Sequence, residues 1–599
     1  MEIATEPKKA MKGGEWIIRE TSYADIFIPE EFDEEQRMIA QTCRDFIQNE
    51  VWPRLDEIDS MKDPQLLPSL LDKAGELGLL GVSLGEQYGG FGKDFVTSLL
   101  VTEYTGSGHS FAVGLSAHTG IGTLPIALYG NDAQKDKYLP KLATGEWKAA
   151  YCLTEPGSGS DANSGKTKAV LSADGKHYLI NGQKMWITNS GFADVFIVFA
   201  KIDDDENLSA FIVEKGFGGI KLNEEEKKMG IKGSSTRQVF FEDCPVPVEN
   251  LLSERQNGFK IAVNILNIGR IKLAGAAVGG SKQCISHSVN YANERQQFGR
   301  PISKYGAIRY KISEQLIRTF ATESATYRAA RNIQDSINQY IADGMDPHKA
   351  ELKGVEQFAI ECAMLKVNGS ETLDYVVDEG VQIYGGMGYS AEAPMDRAYR
   401  DARINRIFEG TNEINRMLTV DMILKRALKG ELDLMGPAMN VVNEMMSIPE
   451  PFENDGTLFS QEKEYIRRFK KAILLVAGGA VQKLMQSLAK EQEILMDIAD
   501  MAIDTYVAES TLLRVEKLVS QRGEEACKEL IEVVRVLLND TADRIGIKGK
   551  NAVNSFAEGD EQRMMLMGVK RFTKTEPFNV KEARRVIAQK AIDANSYPF

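Results

Sequence analysis

Cysteine and histidine are scarce in this chain of 599 residues. The six cysteines, Cys43, Cys152, Cys244, Cys284, Cys362 and Cys527, form no C-x-x-C pair, which argues against a zinc ribbon or a disulfide framework and fits a reducing compartment. The five histidines, His109, His118, His177, His287 and His348, never reach metal-ligand spacing, so no metal is expected. Apolar runs are short as well. The longest, Ala472 to Val481, falls well below the roughly 20 residues of a membrane span. Positive charge is in deficit, with 72 Lys and Arg against 86 Asp and Glu, a net charge of −14 and a pI near 5.2, which argues against a nucleic-acid binder. The amino terminus mixes Lys8, Lys9 and Lys12 with Glu2, Glu6 and Glu15, unlike a secretory or organelle leader, so a cytoplasmic protein is expected. There is no repeat of fixed period, no P-loop and no G-x-G-x-x-G after a strand, and so no sign of a Rossmann unit.

A hydrophobic fraction of 43% over this length supplies several cores, and three or four domains are expected. Helical periodicity carried by Leu66, Leu67, Leu70 and Leu71 fills residues 36–145, after an extension over 1–35. Short β-rich runs such as Val195–Ala200 and Val239–Phe241 mark a β domain over 146–255, with Asp174-Gly175 as a hairpin turn. Long helical patterns return over 256–426, with candidates at 258–293, 305–344, 351–379 and 411–426. The charged remainder, 427–599, is helical and follows a Pro- and acid-rich linker candidate, Ile448 to Gly456.

The most informative segment is Arg400-Asp-Ala-Arg-Ile-Asn-Arg-Ile-Phe-Glu-Gly-Thr-Asn-Glu-Ile-Asn-Arg416. It sets the carboxylate of Glu409 beside a glycine at a helix start, where Thr411 and Asn412 are natural caps and free N–H groups would meet an oxyanion or a ring edge. A carboxylate pressed against a dry ligand can act as a base. Alone, Glu409 reads more simply as one acidic residue on a solvated face.

Three further segments change that reading: Tyr151-Cys-Leu-Thr-Glu-Pro-Gly-Ser-Gly-Ser-Asp161, Asn181-Gly-Gln-Lys-Met-Trp-Ile-Thr-Asn189 and Tyr291-Ala-Asn-Glu-Arg-Gln-Gln-Phe-Gly299. With Gln382-Ile-Tyr-Gly-Gly-Met-Gly388, in this order and spacing, they resemble the acyl-CoA dehydrogenase family from about residue 35 to about 425. The full length resembles its very-long-chain branch. The resemblance implies a mainly α architecture: an N-terminal helical domain, a central β-barrel-like domain, a four-helix bundle with the catalytic glutamate, and an extra C-terminal helical domain.

It also implies FAD as cofactor and acyl-CoA as substrate, dehydrogenated to trans-2-enoyl-CoA in β-oxidation, with electrons passed to an electron-transferring flavoprotein. Glu409 would be the base and its main-chain N–H a donor to the thioester oxygen. A sub-branch takes its base from the position of Gly269, just before Arg270, and glycine there removes the competitor. Tyr151, Leu153, Thr154, Gly159, Ser160, Trp186, Ile187, Thr188, Thr411 and Glu413 would touch the flavin, although many relatives carry glutamine at the last position. Arg295, Phe298, Gln382 and Gly386 would reach a flavin held mainly by a neighbouring subunit, so a homodimer is expected. Ser160, Asn267, Arg270 and Gly410 would contact the substrate. Tyr305-Gly306 replaces a His-Gln or Phe-Gln pair of many relatives and puts that contact in doubt.

Plainer readings stand beside these. Gly-Ser-Gly-Ser alone is a flexible turn, Trp186 a core residue of the β domain, Arg270 half of a buried ion pair, and Gly385 to Gly388 a helix stop. Ala117, Gly120 and Gly122 leave either a deep slot for a long acyl tail or close helix packing. The apolar cluster from Met435 to Met446 offers a membrane-facing surface, but Glu444, Glu450, Glu453 and Asp455 oppose it, and a dimer covered by the extension is favoured. An acyl-CoA oxidase and a low-turnover assembly protein remain as alternative functions.

Overall fold

The computed structural model describes residues 11–447 and 452–599. Residues 448–451 of the linker candidate and the first ten residues lie outside that range. The architecture is mainly helical around one eight-stranded sheet.

The first helical layer runs from Glu34–Phe46 to Asp132–Thr144. His118 fastens it to the sheet: its Nδ1 accepts from the Ala149 N–H at 3.1 Å and its Nε2 donates to the Leu142 carbonyl at 2.9 Å. Burial pushes this imidazole down to about 4, so it stays neutral and can serve both bonds. In the sheet, the order is Ile220–Leu222, Thr236–Pro247, His177–Thr188, Lys168–Leu171, Val195–Ile202, Ser209–Glu214, Leu251–Leu252, with Ala149–Cys152 parallel to Val195–Ile202. The Lys168–Leu171 and His177–Thr188 strands are antiparallel around a turn in which Gly175 has φ 71°, a value glycine adopts without strain.

The bundle comprises Gly258–Glu294, Gly306–Ala342, Ala359–Tyr384 and Asn412–Leu428. Where periodicity predicts one helix over 351–379, two occur: Pro347–Gln357, whose start is capped by Asp346, and Ala359–Tyr384. Phe358, at φ −108° and ψ 22°, makes the break. Gly258–Glu294 crosses Phe95–Thr105 so closely that a Cβ on Gly279 would lie 1.9 Å from the Glu103 carbonyl oxygen. This contact brings the first layer onto the bundle and sets the width of the space between them.

Five helices, from Ser460–Leu484 to Val580–Ala594, then cover the outer face of the bundle. Buried ion pairs join the layers: Arg328 to Glu509 at 2.9 Å, Arg514 to Glu323 at 2.8 Å and Arg584 to Glu314 at 2.8 Å. The segment before Glu34 straps the same seam. Trp16 is fully buried against Tyr506, Gly14 N–H donates to Glu361, and Glu30 completes the shell of Arg514.

Counting uninterrupted apolar runs understated the apolar helices. Ser110–Tyr129, Gly258–Glu294 and Ser460–Lys490 are each long and apolar enough to cross a membrane by length and composition, because Gly, Ser and Thr interrupt a run without making it polar. In the first two, 67% and 72% of that apolar window is buried inside the protein, as expected of core helices. All six cysteines are buried free thiols.

Arg514 is 2% and Glu323 4% exposed, so removing the cation takes the buried partner from Glu30 and leaves Glu323 to Lys282 alone. Arg514→Leu is expected to destabilise the protein by about 3–5 kcal/mol in chemical unfolding; a loss indistinguishable from zero would show that the seam does not depend on this pair.

Candidate active site

The segment after Arg403–Arg406 leaves helical geometry at Glu409, φ 59°, and Gly410, φ 80°, before re-entering a helix at Asn412. A non-glycine residue at positive φ is disfavoured, and side chains hold this turn from behind. Arg270 Nε donates to the Glu409 carbonyl at 3.2 Å, and Lys366 Nζ donates to the Gly410 carbonyl at 2.7 Å. Asn415 Nδ2 reaches the carbonyls of Gly410 and Thr411 at 2.8 and 3.0 Å. Thr411 Oγ1 caps the next helix by accepting from the Ile414 N–H. The carbonyls are thus turned inward, and no hydrogen bond engages the Glu409 N–H among the described residues.

Oε2 of Glu409 is buried without a hydrogen-bond partner. Burial raises this carboxyl to about 7, opposed by the charges of Arg270 and Lys366. Lys366 is itself pushed down to about 8 by burial. Gly269 lies directly beneath: a Cβ there would come within 2.9 Å of Glu409 Oε2. Any side chain at 269 would therefore compete with Glu409 for the same space.

Glu409 opens onto a cavity of about 210 Å³. Its walls come from the first helical layer (Ala112, Val113, Ala117, Gly120), from Gly258–Glu294 (Ile265, Ile268, Gly269, Leu273) and from the segment before Glu409 (Ala398, Ile404, Phe408), with Thr188 at the sheet side. A Cβ on Gly120 would meet nothing within 4 Å, whereas one on Gly122 would strike Ala149 at 2.6 Å. The two readings of the small residues thus divide: Ala117 and Gly120 border the cavity, and Gly122 serves close packing.

The remaining residues singled out from sequence fall into two groups. Leu153, 7% exposed, and Thr154 follow the first strand, and Gly159 and Ser160 are exposed on the loop beyond. That loop is closed by Glu155, which pairs with buried Lys184 at 2.7 Å and accepts from the Lys166 and Thr167 N–H groups. Trp186 is not a core residue. It is 51% exposed at φ 60°, where a register shift between Lys184 and Ile187 turns its side chain outward, as β-bulges do. Ile187, 2% exposed, packs into the sheet core. Tyr151 is buried with an unpartnered hydroxyl that feels the charge of Glu409. Thr188 borders the cavity and the Tyr151 hydroxyl lies near Glu409, and with the outward-turned indole and the open glycine loop of the same sheet these groups suit a flat polar-edged ring.

Arg295, Phe298, Gln382, Gly386 and Glu413 are exposed and do not line the cavity. Arg295 and Phe298 sit at a small hairpin and Gln382 and Gly386 at a helix stop where Gly385 has φ 59°. Stacking of Tyr291 on Tyr384, centroids 4.1 Å apart, brings the two together. Asn267 and Arg270 are buried behind the base, bonded to each other at 2.8 Å, so the contact observed for Arg270 is with Glu409 itself. Sequence reasoning missed Lys366, whose only signal was a lone lysine in an apolar helix, and the cavity residues His109 and His287.

Fold and cavity together define an enzyme in which a helical bundle and a sheet close over an apolar channel ending at a desolvated carboxylate. The chain belongs to the acyl-CoA dehydrogenase family: it matches the acyl-CoA dehydrogenase N-terminal domain over residues 33–146, the middle domain over 150–244, the C-terminal domain over 256–424 and a further acyl-CoA dehydrogenase C-terminal domain over 468–571. A probable acyl-CoA dehydrogenase of Bacillus subtilis (strain 168) is 45% identical over 99% of this chain and 100% of its own length. The human mitochondrial very long-chain specific acyl-CoA dehydrogenase is 38% identical over 74% of this chain and 69% of its own. A crystal structure of acyl-CoA dehydrogenase complexed with FAD from Bacillus anthracis superposes with a TM-score of 0.95 at 46% identity, covering 98% of this chain and 100% of that one.

The raised carboxyl makes stability depend on pH. Folded Glu409 holds its proton more tightly than the unfolded chain, so its contribution favours folding below about pH 4.5 and is lost as pH rises through about 7. Glu409→Gln, which cannot ionise, should become progressively more stable than wild type from about pH 5 to about pH 8, reaching about 3 kcal/mol. Urea unfolding across that range checks this, and a pH-independent difference would contradict it.

Proposed function

We propose that this protein is an FAD-dependent dehydrogenase of long-chain acyl-CoA thioesters, forming trans-2-enoyl-CoA in β-oxidation and passing electrons to an electron-transferring flavoprotein. The observation that carries it is the unpartnered Oε2 of Glu409 at one end of an apolar channel. Glu409 takes the proton from the carbon next to the thioester. Its unengaged N–H is available to the thioester oxygen, where charge develops. Arg270, Lys366 and Asn415 keep the turn in place while the carboxylate changes charge, and the surrounding apolar walls exclude water. FAD, when bound, supplies the acceptor for the hydride leaving the neighbouring carbon. Leu153, Thr154, Trp186 and Thr188 are the residues that would hold its ring.

A preference for long chains is supported by the length of the channel. It follows the Gly258–Glu294 helix from Gly269 to Gln283, about 21 Å at roughly 1.5 Å per residue. An extended chain advancing roughly 1.2 Å per bond would fill it with about eighteen carbons. Exposed Arg295 and Phe298, remote from the cavity, suit a cofactor shared with a second copy, as in a homodimer.

Anaerobic mixing of the flavin-loaded protein with acyl-CoA of four to eighteen carbons tests the reading. Bleaching of the yellow flavin should be most efficient at the long end, and Glu409→Gln should retain the flavin without bleaching. Unchanged bleaching in that variant would remove Glu409 as the base, and a preference for four carbons would remove the long channel. Peroxide yield in air separates a dehydrogenase from an oxidase.

A further inference from the structure

The channel does not end in hydrocarbon. On the Gly258–Glu294 helix, about 21 and about 27 Å from Gly269 by the helical rise, Gln283 and His287 line it, and His109 and Asp401 border the same end. Gln283 Nε2 donates to His287 Nε2 at 2.9 Å, and His109 Nδ1 lies 2.9 Å from Asp401 Oδ2.

Two features set this end apart from ordinary core polarity. His109 adopts φ 52° and ψ −125°, a backbone conformation that costs a non-glycine residue about 1–3 kcal/mol and persists only where its surroundings enforce it. It places the imidazole against Asp401, whose other oxygen accepts from the Ile231 N–H. The other feature is spare hydrogen-bonding capacity. Among the described residues no hydrogen bond uses Nδ1 of His287 or Oε1 of Gln283, although both side chains face the cavity. Burial, then the neighbouring His109, holds the His287 imidazolium below its ordinary range, so His287 offers a neutral donor.

An alkyl terminus would leave these polar groups facing hydrocarbon, a loss of about 1–3 kcal/mol per unsatisfied group. A carboxylate terminus would face Asp401. A neutral hydroxyl both donates and accepts, and suits the Gln283 oxygen and the His287 N–H together. We propose that the distal end of the channel is a recognition site for a hydroxyl group at the far end of a long acyl chain, with Gln283 and His287 as its partners and the His109–Asp401 pair as the element that positions it. The proposal rests on the acyl-CoA reading above and specifies its substrate class as ω-hydroxyacyl thioesters.

The test measures kcat/KM of the holoenzyme for plain, ω-hydroxy and ω-carboxy acyl-CoA of fourteen to twenty carbons, in wild type, His287→Leu and Gln283→Leu. Flavin content reports folding in each. In wild type the hydroxy chain should exceed the plain chain of equal length by about fivefold at the best-fitting length, and that ratio should fall to one or below in the variants. A wild-type ratio at or below one at every length, a ratio unmoved in both variants, or a preference for the carboxylate would each overturn the proposal. If no acyl-CoA of any kind is turned over, the acyl-CoA reading itself fails, an outcome distinct from normal turnover of plain chains alone.

Discussion

A carboxyl group without a partner is the constraint around which this protein is arranged. Burying Glu409 disfavours its charge and holds its carboxyl near 7, and hydrogen bonds from behind fix the turn that keeps it there. Arg270, Lys366 and Asn415 take up the carbonyls of the left-handed turn, which leaves Oε2 of Glu409 without a partner at the cavity. A base tuned toward neutral pH is more reactive than an exposed glutamate and still ionised in a useful fraction. Gly269 is part of the same arrangement, since the carboxylate occupies the space its side chain would need.

Much of this was legible in the sequence, and the failures follow from particular residues. Glu409 next to glycine and ahead of Thr411 marked both the turn and the capped helix start, and long apolar periodicity located Gly258–Glu294, Gly306–Ala342 and Asn412–Leu428 closely while merging Pro347–Gln357 with Ala359–Tyr384. The resemblance set Trp186 against the flavin, while its strand pattern alone read as a core aromatic. The bulge that turns it outward depends on its pairing with the Thr236–Pro247 strand, which no local pattern encodes. Lys366 sits within a helix buried on nearly all sides, where amphipathic periodicity is weak and a polar residue has no face to announce, whereas Asn267 and Arg270, equally buried, were marked only through the resemblance. His109 and His287 lie far apart in sequence and meet only because the first helical layer crosses the bundle.

The extra C-terminal helices and the segment before Glu34 act on this site at a distance. They cover the outer face of the Gly306–Ala342 and Asn412–Leu428 helices and fasten it through Arg328, Arg514, Arg584 and Arg416. Buried pairs of this kind add little net stability but penalise any other docking. The helix that begins with Asn412, and with it the turn at Glu409, is thus held from both sides.

Glu409 acts here as a desolvated base, and the pH dependence of flavin reduction reads this directly. With palmitoyl-CoA under anaerobic conditions, the second-order rate of bleaching should fall about tenfold per pH unit below about pH 7, as expected for a base that must be ionised in the free enzyme. A rate that stays level down to about pH 5 would show an ordinary solvated carboxylate and contradict it.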